Sequence, residues 1–303
     1  MHVFVTGASG HVGSAVVPEL LAAGHRVVGL ARSEAAADRL AAAGAEAHRG
    51  DLEDLDGLRA AAAAADGVIH LAFRHDLLQA GDLAGAAGAD LTAIRAIADA
   101  IAGTGKPFVG TSGTLLLALM RPGSVGTEED AGDGGFRVDA ENFVIGLAER
   151  GVRSSVVRLP PTVHSQLDRT GFLPVLIATA RDRGFAACVG DGANRWPAVH
   201  SLDAAHLYRL ALERAPAGSR LHAVGDEGVP FAVIAETIGR ALGVPSRRLG
   251  ADEAAGYFGF LTPFVQLDGP TSSARTQQLL GWRPERPGLI ADLEEGHYFR
   301  TGS

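Results

Sequence analysis

The chain is poor in cysteine, lysine and tyrosine, and its positive charges are not clustered. Its 303 residues include one cysteine, Cys188, one lysine, Lys106, and three tyrosines. A lone cysteine excludes an internal disulfide, so we interpret Cys188 as a core thiol and infer no oxidising compartment. The net charge is −8 and no run of Lys or Arg occurs, so neither nucleic acid nor an anionic membrane is an expected partner.

Long apolar stretches and a leader peptide are also missing. Hydrophobic residues make up 47% of the chain, but Gly, Pro or charged residues interrupt every apolar run before it reaches the length of a membrane span. A strand pattern begins at His2, without the charged and apolar regions of a signal peptide. We therefore predict a cytoplasmic protein whose partner is a small-molecule substrate.

The first 160 residues alternate short β-rich segments with Ala- and Leu-rich helical segments. The expected strands are His2–Thr6, Arg26–Leu30, Ala45–His48, Val68–Leu71, Pro107–Thr111 and Arg153–Leu159. The expected helices are Val12–Ala23, Glu34–Ala43, Leu55–Ala64, Leu91–Ala102 and Arg137–Arg150. Nearly continuous apolar strands separated by helices indicate a parallel sheet that is covered on both faces. The expected fold class is α/β, a doubly wound parallel sheet (Rossmann) with a smaller C-terminal substrate lobe.

The pattern becomes irregular after Leu159, because Pro160 and Pro161 end the sixth strand. Beyond it we expect helices at Phe172–Arg181, Leu202–Arg214, Pro230–Leu242 and Thr271–Leu280, and strands at Phe185–Val189, Trp196–Val199 and Arg220–Ala223. Residues 1–160 are predicted to form a dinucleotide-binding domain whose sheet is completed by residues 195–225. Residues 161–194 and 226–303 are predicted to form the substrate-binding lobe.

A glycine-rich segment joins the first strand to the first helix. Gly7 permits a tight turn, Gly10 lets the backbone approach a pyrophosphate, and Gly13 lets the helix pack close to the strand. The helix N-terminus then presents unpaired N–H groups and a positive dipole end to the phosphates. The residues predicted to bind the dinucleotide here are Thr6, Gly7, Ser9, Gly10, His11, Val12 and Gly13.

The end of the second strand indicates which nicotinamide dinucleotide is preferred. NAD-binding proteins place a carboxylate there for the ribose 2′-hydroxyl, but this chain has Ala31 followed by Arg32 and Ser33. A guanidinium and a hydroxyl suit a 2′-phosphate, which a carboxylate would repel. We predict NADP(H) rather than NAD(H). The alternative is that Arg32 is a solvated surface charge.

These segments resemble the short-chain dehydrogenase/reductase superfamily, in its extended and atypical branches, which include epimerases, dehydratases and hydroxysteroid dehydrogenases. The resemblance covers most of the chain and implies a homodimer. It places Gly50-Asp51-Leu52 beside the adenine, with Asp51 contacting the base. It also implies cofactor contacts by Leu52, by Leu71, Ala72 and Phe73 after the fourth strand, and by Pro160 after the sixth.

The chain departs from this family where the chemistry occurs. Members carry a Ser or Thr after the fifth strand, and later a Tyr and a Lys one helical turn apart, which handle the proton and the nicotinamide ribose. The first element is retained as Thr111, Ser112 and Thr114, which we expect to bind the reacting oxygen. No Tyr-x-x-x-Lys occurs; Arg137 takes the lysine position, and Asp133 lies near the tyrosine position. Arg137 is expected to bind the ribose hydroxyls, but a guanidinium does not exchange protons near neutral pH.

His164 is the predicted proton donor, because it follows the sixth strand and a histidine titrates near neutrality. The alternative is a histidine that hydrogen-bonds to the backbone of its loop. The acidic residues Glu128, Glu129, Asp130 and Asp133 are expected to form a solvated loop, and a proton donor among them is the alternative.

Two further groups of residues admit a binding interpretation and a structural one. His200, Asp203 and His206 have the spacing of metal ligands on a helix, but we interpret them as ordinary helix residues and predict no metal. The aromatic residues of the C-terminal part are expected either to line a substrate pocket or to form core: Trp196, Tyr257, Phe258, Phe260, Phe264 and Trp282.

The sequence therefore predicts an NADP(H)-dependent oxidoreductase that acts on a small carbonyl or alcohol. Two alternatives stay open: an epimerase or dehydratase with retained cofactor, and a non-catalytic NADP(H)-binding redox sensor. The missing Tyr and Lys favour the sensor, whereas the substrate lobe favours an enzyme.

Overall fold

The computed structural model describes residues 1–300. Its strands are β1 His2–Thr6, β2 Arg26–Ala31, β3 Glu46–Arg49, β4 Gly67–His70, β5 Pro107–Gly113, β6 Arg153–Leu159, β7 Thr162–His164, β8 Ala186–Val189, β9 Arg195–His200, β10 Ser219–His222, β11 Asp226–Pro230 and β12 Ser246–Leu249. Its helices are α1 Gly13–Ala22, α2 Glu34–Ala42, α3 Leu55–Ala64, α4 His75–Gln79, α5 Leu83–Ile101, α6 Leu115–Met120, α7 Val138–Gly146, α8 Phe172–Arg183, α9 Ser201–Arg214, α10 Phe231–Leu242, α11 Ala251–Phe258, α12 Thr262–Val265, α13 Ala274–Leu280 and α14 Leu289–Glu294.

Seven strands form one parallel sheet in the order β10-β6-β5-β4-β1-β2-β3. The strand order reverses between β1 and β4, where Thr6 pairs with His70. In doubly wound sheets, ligands bind at the carboxyl ends of the strands beside such a reversal. The fold therefore places a crevice directly above Thr6 and the glycine-rich turn.

Helices cover both faces of this sheet. On one face α1 and α9 pack over β1, β5 and β6 in an apolar cluster that includes Val5, Val16 and Leu207. On the other face α3, α5 and α7 enclose a second apolar cluster around Phe4 and Phe108. The predicted doubly wound Rossmann fold is confirmed. No helix among residues 1–300 is both long and apolar enough to span a membrane.

The prediction that residues 195–225 complete the main sheet is correct only for β10. The strand β9 instead lies in a three-stranded sheet between β7 and β11. Pro160 and Pro161 end β6, because proline interrupts the hydrogen-bonding pattern of a strand. The next strand, β7, therefore lies outside the main sheet and pairs with β9. Thr162 pairs with Ala198 across these strands, and its hydroxyl donates to the Pro197 carbonyl at 2.7 Å. A third sheet pairs β8 with β12.

A third apolar cluster lies under these small sheets, around Trp196, Phe231 and Leu293. Its helices α8, α10, α11 and α14 belong to the segments that we assign to the substrate-binding lobe. The division of the chain into a dinucleotide domain and a lobe stays a prediction.

Several helix boundaries differ from the sequence-based ones, each for a local reason. The helix α5 begins at Leu83, eight residues earlier than expected, because the Asp82 carboxylate accepts the N–H of Gly85 at 2.8 Å and caps it. The last predicted helix begins at Ala274, because Thr271 pairs with Gly126 in a β-bridge and donates its N–H to the Glu227 carbonyl. The short helices α4, α6, α11, α12 and α14 were not predicted.

Candidate active site

The glycine-rich turn is packed so closely that side chains are excluded at two of its glycines. Gly7 has a φ of +67°, and a Cβ there would lie 2.7 Å from the Ala72 nitrogen. A Cβ on Gly13 would lie 2.2 Å from the Gly7 carbonyl oxygen. A Cβ on Gly10 would lie 3.2 Å from the same oxygen. The strand β1, the turn and the helix α1 therefore meet backbone to backbone.

The N-terminus of α1 is open toward the crevice. Its N-cap residue, Val12, makes no side-chain capping bond, and the first turn has no acidic residue. No acceptor among residues 1–300 takes the backbone N–H groups of His11 and Val12. Unpaired N–H groups at the start of a ten-residue helix are the donors that bind phosphate groups in dinucleotide-binding folds.

A buried hydrogen-bonded chain fixes the backbone beside this turn. The Ala72 N–H donates to the Thr6 hydroxyl at 3.2 Å, and that hydroxyl bonds to His70 Nδ1 at 2.9 Å. Because the Asp90 carboxylate only accepts, His70 Nε2 donates to it at 3.1 Å, and in a neutral imidazole the other nitrogen, Nδ1, then accepts the Thr6 hydroxyl hydrogen. Sequence reasoning missed His70 and Asp90, although both follow or face the fourth strand.

Basic side chains lie at the carboxyl ends of β2 and β3. Arg32 is exposed and makes no ion pair among residues 1–300. Arg49, which the sequence analysis did not select, lies directly across from Ala31 and pairs with Glu34 at 3.2 Å. Ser33 caps α2 by accepting the Ala36 N–H.

Asp51 and Leu52 form the turn that follows β3. The Asp51 carboxylate accepts the backbone N–H groups of Glu53 and Asp54 at 2.8 and 3.2 Å. Leu52 is buried in the core. Asp51 therefore shapes this turn, and its contact with adenine stays a prediction.

Arg137 is held at the other end of the crevice by two contacts. Its guanidinium carbon lies 4.1 Å from the centre of the Phe73 ring, and its Nη2 donates to the Thr111 carbonyl at 2.8 Å. Its φ of +59° is the one positive φ of a non-glycine residue within residues 1–300. Such backbone strain persists where surrounding contacts enforce it, often at functional sites.

The hydroxyl residues after β5 lie in different environments. Thr111 donates its hydroxyl hydrogen to the His70 carbonyl at 2.7 Å and contacts the Tyr208 hydroxyl at 2.8 Å. Burial raises the pKa of Tyr208. Ser112 is buried, and the fully buried Thr114 hydroxyl has no hydrogen-bond partner among residues 1–300. The structure thus brings Thr111 and Arg137 into direct contact, with Phe73 against the guanidinium.

His164 is fully buried inside a polar cluster and does not line an open crevice. Its Nδ1 lies 2.9 Å from Asp292, and its ring packs edge-on to His200 at 5.5 Å between centres. Its carbonyl accepts the Ser201 hydroxyl, which also contacts His11. The predicted catalytic role of His164 stays a prediction, and its enclosure is typical of a structural histidine.

The expectation of a solvated acidic loop is wrong for Glu128 and Asp130. Both residues are buried: Glu128 accepts the N–H and hydroxyl of Thr276 at 2.7 and 2.6 Å, and Asp130 pairs with Arg121. Burial raises the pKa of Asp130, but the hydrogen bonds from Arg121 and Thr127 outweigh it, so the pKa is lowered overall. These two carboxylates hold the acidic segment against the rest of the protein through Thr276 and Arg121, which amino-acid composition alone does not predict. Glu129 and Asp133 are exposed.

The three residues with metal-like spacing bind to separate partners. His200 Nδ1 accepts the Leu202 N–H, Asp203 accepts the backbone N–H groups of residues 285 and 286, and His206 contacts Glu19 at 3.0 Å. Each side chain is thus used in helix capping or helix packing.

Most of the C-terminal aromatic residues form core. Trp196, Trp282, Phe258 and Tyr257 are buried, whereas Phe260 is exposed. The core interpretation therefore holds for these four residues.

Comparison with known proteins agrees with this geometry. The family model described as "NAD dependent epimerase/dehydratase family" matches residues 3–124. The chain is 46% identical to the uncharacterized protein C2A9.02 of Schizosaccharomyces pombe, across 99% of this chain and 100% of that protein. The chain belongs to the NAD-dependent epimerase/dehydratase family. The resemblance predicted from its motifs is confirmed.

Two other similar proteins are named for different reactions. The 4-hydroxy-2-methyl-3-oxo-4-farnesyl-3,4-dihydroquinoline-1-oxide ketoreductase of Stigmatella aurantiaca is 29% identical over 72% of this chain and 66% of that protein. The crystal structure of UDP-glucose 4-epimerase from Thermotoga maritima superposes with a TM-score of 0.77 at 17% identity, covering 99% of this chain and 98% of that one. The second similarity shows the shared fold.

Proposed function

We propose that this protein is an NADP(H)-dependent oxidoreductase that reduces a small carbonyl compound or oxidises the corresponding alcohol. The observation that carries the proposal is the start of α1, where the backbone N–H groups of His11 and Val12 have no acceptor among residues 1–300. The adjoining turn leaves no space for a side chain at Gly7 or Gly13. These residues fit a pyrophosphate. Membership of the NAD-dependent epimerase/dehydratase family and similarity to a ketoreductase support the same reaction class.

The cofactor site that we propose runs along the carboxyl edge of the sheet. Arg32, with Ser33 and Arg49 beside it, would hold the 2′-phosphate of NADP(H), and Asp51 with Leu52 would border the adenine. The segment Leu71–Phe73 would lie along the cofactor. Pro160, which is buried at the end of β6, would approach the nicotinamide.

The reaction site lies where Arg137 meets the end of β5. Arg137 would bind the nicotinamide ribose, because its guanidinium is fixed by Phe73 and by the Thr111 carbonyl. When bound, the nicotinamide exchanges a hydride with the substrate carbon. Thr111, which is half-buried beside Arg137, would orient the substrate oxygen, whereas Ser112 and Thr114 lie buried behind it in the sequence of β5 and its turn.

Cofactor preference tests the proposal directly. We expect the wild-type protein to bind NADPH more tightly than NADH, and Arg32→Ala to weaken NADPH at least 10-fold while changing NADH little. A charged hydrogen bond contributes about 1.5–3 kcal/mol, which corresponds to roughly 10- to 150-fold in affinity. Fluorescence titration measures both affinities. Arg59→Ala, an exposed arginine paired with Asp56 on α3, is the matched control.

Two results would contradict the proposal. Tighter binding of NADH than of NADPH by the wild type would refute the cofactor preference. Stoichiometric NADPH binding without NADPH oxidation across a panel of aldehydes and ketones would favour the redox-sensor alternative. The absence of the Tyr-x-x-x-Lys pair would then agree with a protein that binds the cofactor without catalysis.

A further inference from the structure

A histidine that the sequence analysis did not select lies next to the Arg137 site. His75 is the first residue of α4, five residues after the end of β4. Its ring packs edge-on against Phe73, with 5.3 Å between ring centres. The same Phe73 ring carries the Arg137 guanidinium at 4.1 Å. One aromatic ring therefore joins the imidazole to the guanidinium that we assign to the nicotinamide ribose.

The backbone fixes this position locally. The His75 N–H donates to the Phe73 carbonyl at 3.0 Å, which bends the chain where it leaves the sheet edge. Arg74 forms ion pairs with Asp76 and Glu53. Among the histidines that are not buried, His75 is the one that follows the carboxyl end of β4 most closely in the sequence.

The imidazole of His75 is free to exchange a proton. It is exposed, and its ring contacts the Phe73 backbone but no side chain among residues 1–300 by hydrogen bonding. His70, by contrast, is buried between Thr6 and Asp90, and His164 is buried against Asp292. A general acid must reach the substrate oxygen directly or through one water, which the two buried rings do not offer.

The charges around His75 favour its neutral form near pH 7. Partial burial and the positive charge of Arg137 lower the pKa of His75, whereas a hydrogen bond to the Phe73 backbone and the carboxylates of Asp76 and Asp90 raise it by smaller amounts. A donor whose pKa lies somewhat below neutrality releases its proton readily, and its neutral form accepts a proton in the reverse direction.

We propose that His75 is the proton donor and acceptor of this oxidoreductase, in the role that tyrosine fills in relatives with the Tyr-x-x-x-Lys pair. This inference rests on the proposed function. In carbonyl reduction, the substrate carbon receives the hydride, and the carbonyl oxygen receives the proton from a ring nitrogen of His75. The neutral imidazole then regains a proton from water. In alcohol oxidation, the neutral ring takes the hydroxyl proton.

Kinetics of a substituted enzyme provide the first test. We expect His75→Gln to lower kcat for carbonyl reduction by about 10²- to 10⁴-fold while NADPH affinity changes less than about twofold. The wild-type rate should fall as the pH rises above the pKa of His75, and this decline should disappear in His75→Gln. Added imidazole should restore part of the activity of His75→Ala. His206→Ala, which removes a half-exposed histidine of α9, is the matched control.

A spectroscopic measurement provides a second test that needs no substrate. Histidine resonances are recorded against pH for the free protein and with NADP⁺ or NADPH, and His75→Gln assigns the signal. Because oxidised nicotinamide carries a positive charge, NADP⁺ should lower the pKa of His75 more than NADPH does. Failure of the wild type to bind NADPH would refute the proposed function.

If NADPH binds, two results would overturn the present inference alone. One is a His75 signal that neither cofactor form moves. The other is a wild-type rate retained by His75→Gln while His164→Gln loses activity, which would return the role of proton donor to His164.

Discussion

The backbone at Gly13 passes so close to the Gly7 carbonyl that even a methyl group has no space, since its carbon would lie 2.2 Å from that oxygen. The atoms that would be struck belong to the backbone of the same turn, so no side-chain rotation can relieve the overlap. The requirement for glycine at this position therefore comes from packing as well as from cofactor binding. The two origins can be separated by experiment.

We expect Gly13→Ala to destabilise the protein by several kcal/mol and to abolish NADPH binding, because the first turn of α1 must shift. The matched control is Gly88→Ala within α5, where a Cβ would meet no atom within 4 Å. That change should leave stability equal or raise it by about 0.5–1 kcal/mol, because alanine favours helix interiors. Urea unfolding measures both effects. Equal stability of the two variants would show that the turn can rearrange.

Two residues beside this turn respond to pH in opposite directions. Burial, with His164 and His200 nearby, lowers the pKa of His11 to about 4, and burial raises the pKa of Asp168 to about 6. The stability that His11 contributes is present above pH 6.5 and is lost as the pH falls toward 4. The stability that Asp168 contributes is present below about pH 4 and is lost as the pH rises to 6.

We therefore predict that Asp168→Asn gains stability relative to the wild type as the pH rises from 4 to 6, by about 1.4 kcal/mol per pH unit, and then stays level. The asparagine side chain retains an acceptor for the Gly171 N–H that Asp168 now binds. Urea unfolding at several pH values checks this slope. A stability difference that does not vary with pH would contradict the assignment.

At the scale of elements, the start of α7 combines an unfavourable backbone with the side chain that we propose for the nicotinamide ribose. Arg137 is the N-cap of this helix and adopts the left-handed conformation without a side-chain capping bond. For a residue with a Cβ this conformation costs roughly 1–2 kcal/mol, whereas glycine adopts it freely. The contacts with Phe73 and Thr111 hold the residue there.

A pair of variants separates the backbone from the side chain. Arg137→Ala and Arg137→Gly lose the same guanidinium contacts, so both should weaken NADPH binding by a similar factor. The glycine variant should be more stable than the alanine variant by about 1 kcal/mol, because only alanine keeps the strain. Thermal unfolding and NADPH titration together test this. An alanine variant as stable as the glycine variant would indicate that the helix start relaxes.

Local patterns were sufficient to predict the strands and helices of the main sheet, because each has its own periodicity and turn residues. Pairing in the C-terminal part was not predictable, since β9 has the same apolar pattern whether it joins β6 or β7. In the site, the motif predicted the open turn at Gly7 and Gly13. His75 was missed because its relation to Arg137 depends on how two distant segments meet over Phe73.

At the scale of the whole molecule, a buried contact between a histidine and a carboxylate connects the C-terminal helix to the small sheet. Asp292 of α14 binds His164 of β7, and both side chains are almost completely enclosed. Nearby, Tyr298 donates its hydroxyl hydrogen to Asp168 and accepts the Ser165 N–H. The C-terminal residues Asp292 and Tyr298 therefore bind to the segment 164–168.

Asp292→Ala should destabilise the whole fold by about 1–3 kcal/mol, because it leaves the buried His164 Nδ1 without its hydrogen-bond partner. Glu295→Ala, three residues further along and exposed, should change stability by less than about 0.5 kcal/mol. Denaturant unfolding of both variants provides the comparison. Similar stabilities would show that His164 finds another partner when the carboxylate is removed.

The position of β10 in the main sheet also bears on how the chain folds during synthesis. This strand pairs with β6 but is separated from it by about 60 residues. At a ribosomal rate of roughly 5–20 residues per second, β6 remains an unpaired edge for several seconds after it emerges. An apolar open edge is a template for association with other chains.

Slower translation of the codons for residues 160–219 should therefore increase aggregation of the nascent protein, and chaperones that shield strand edges should reduce this aggregation.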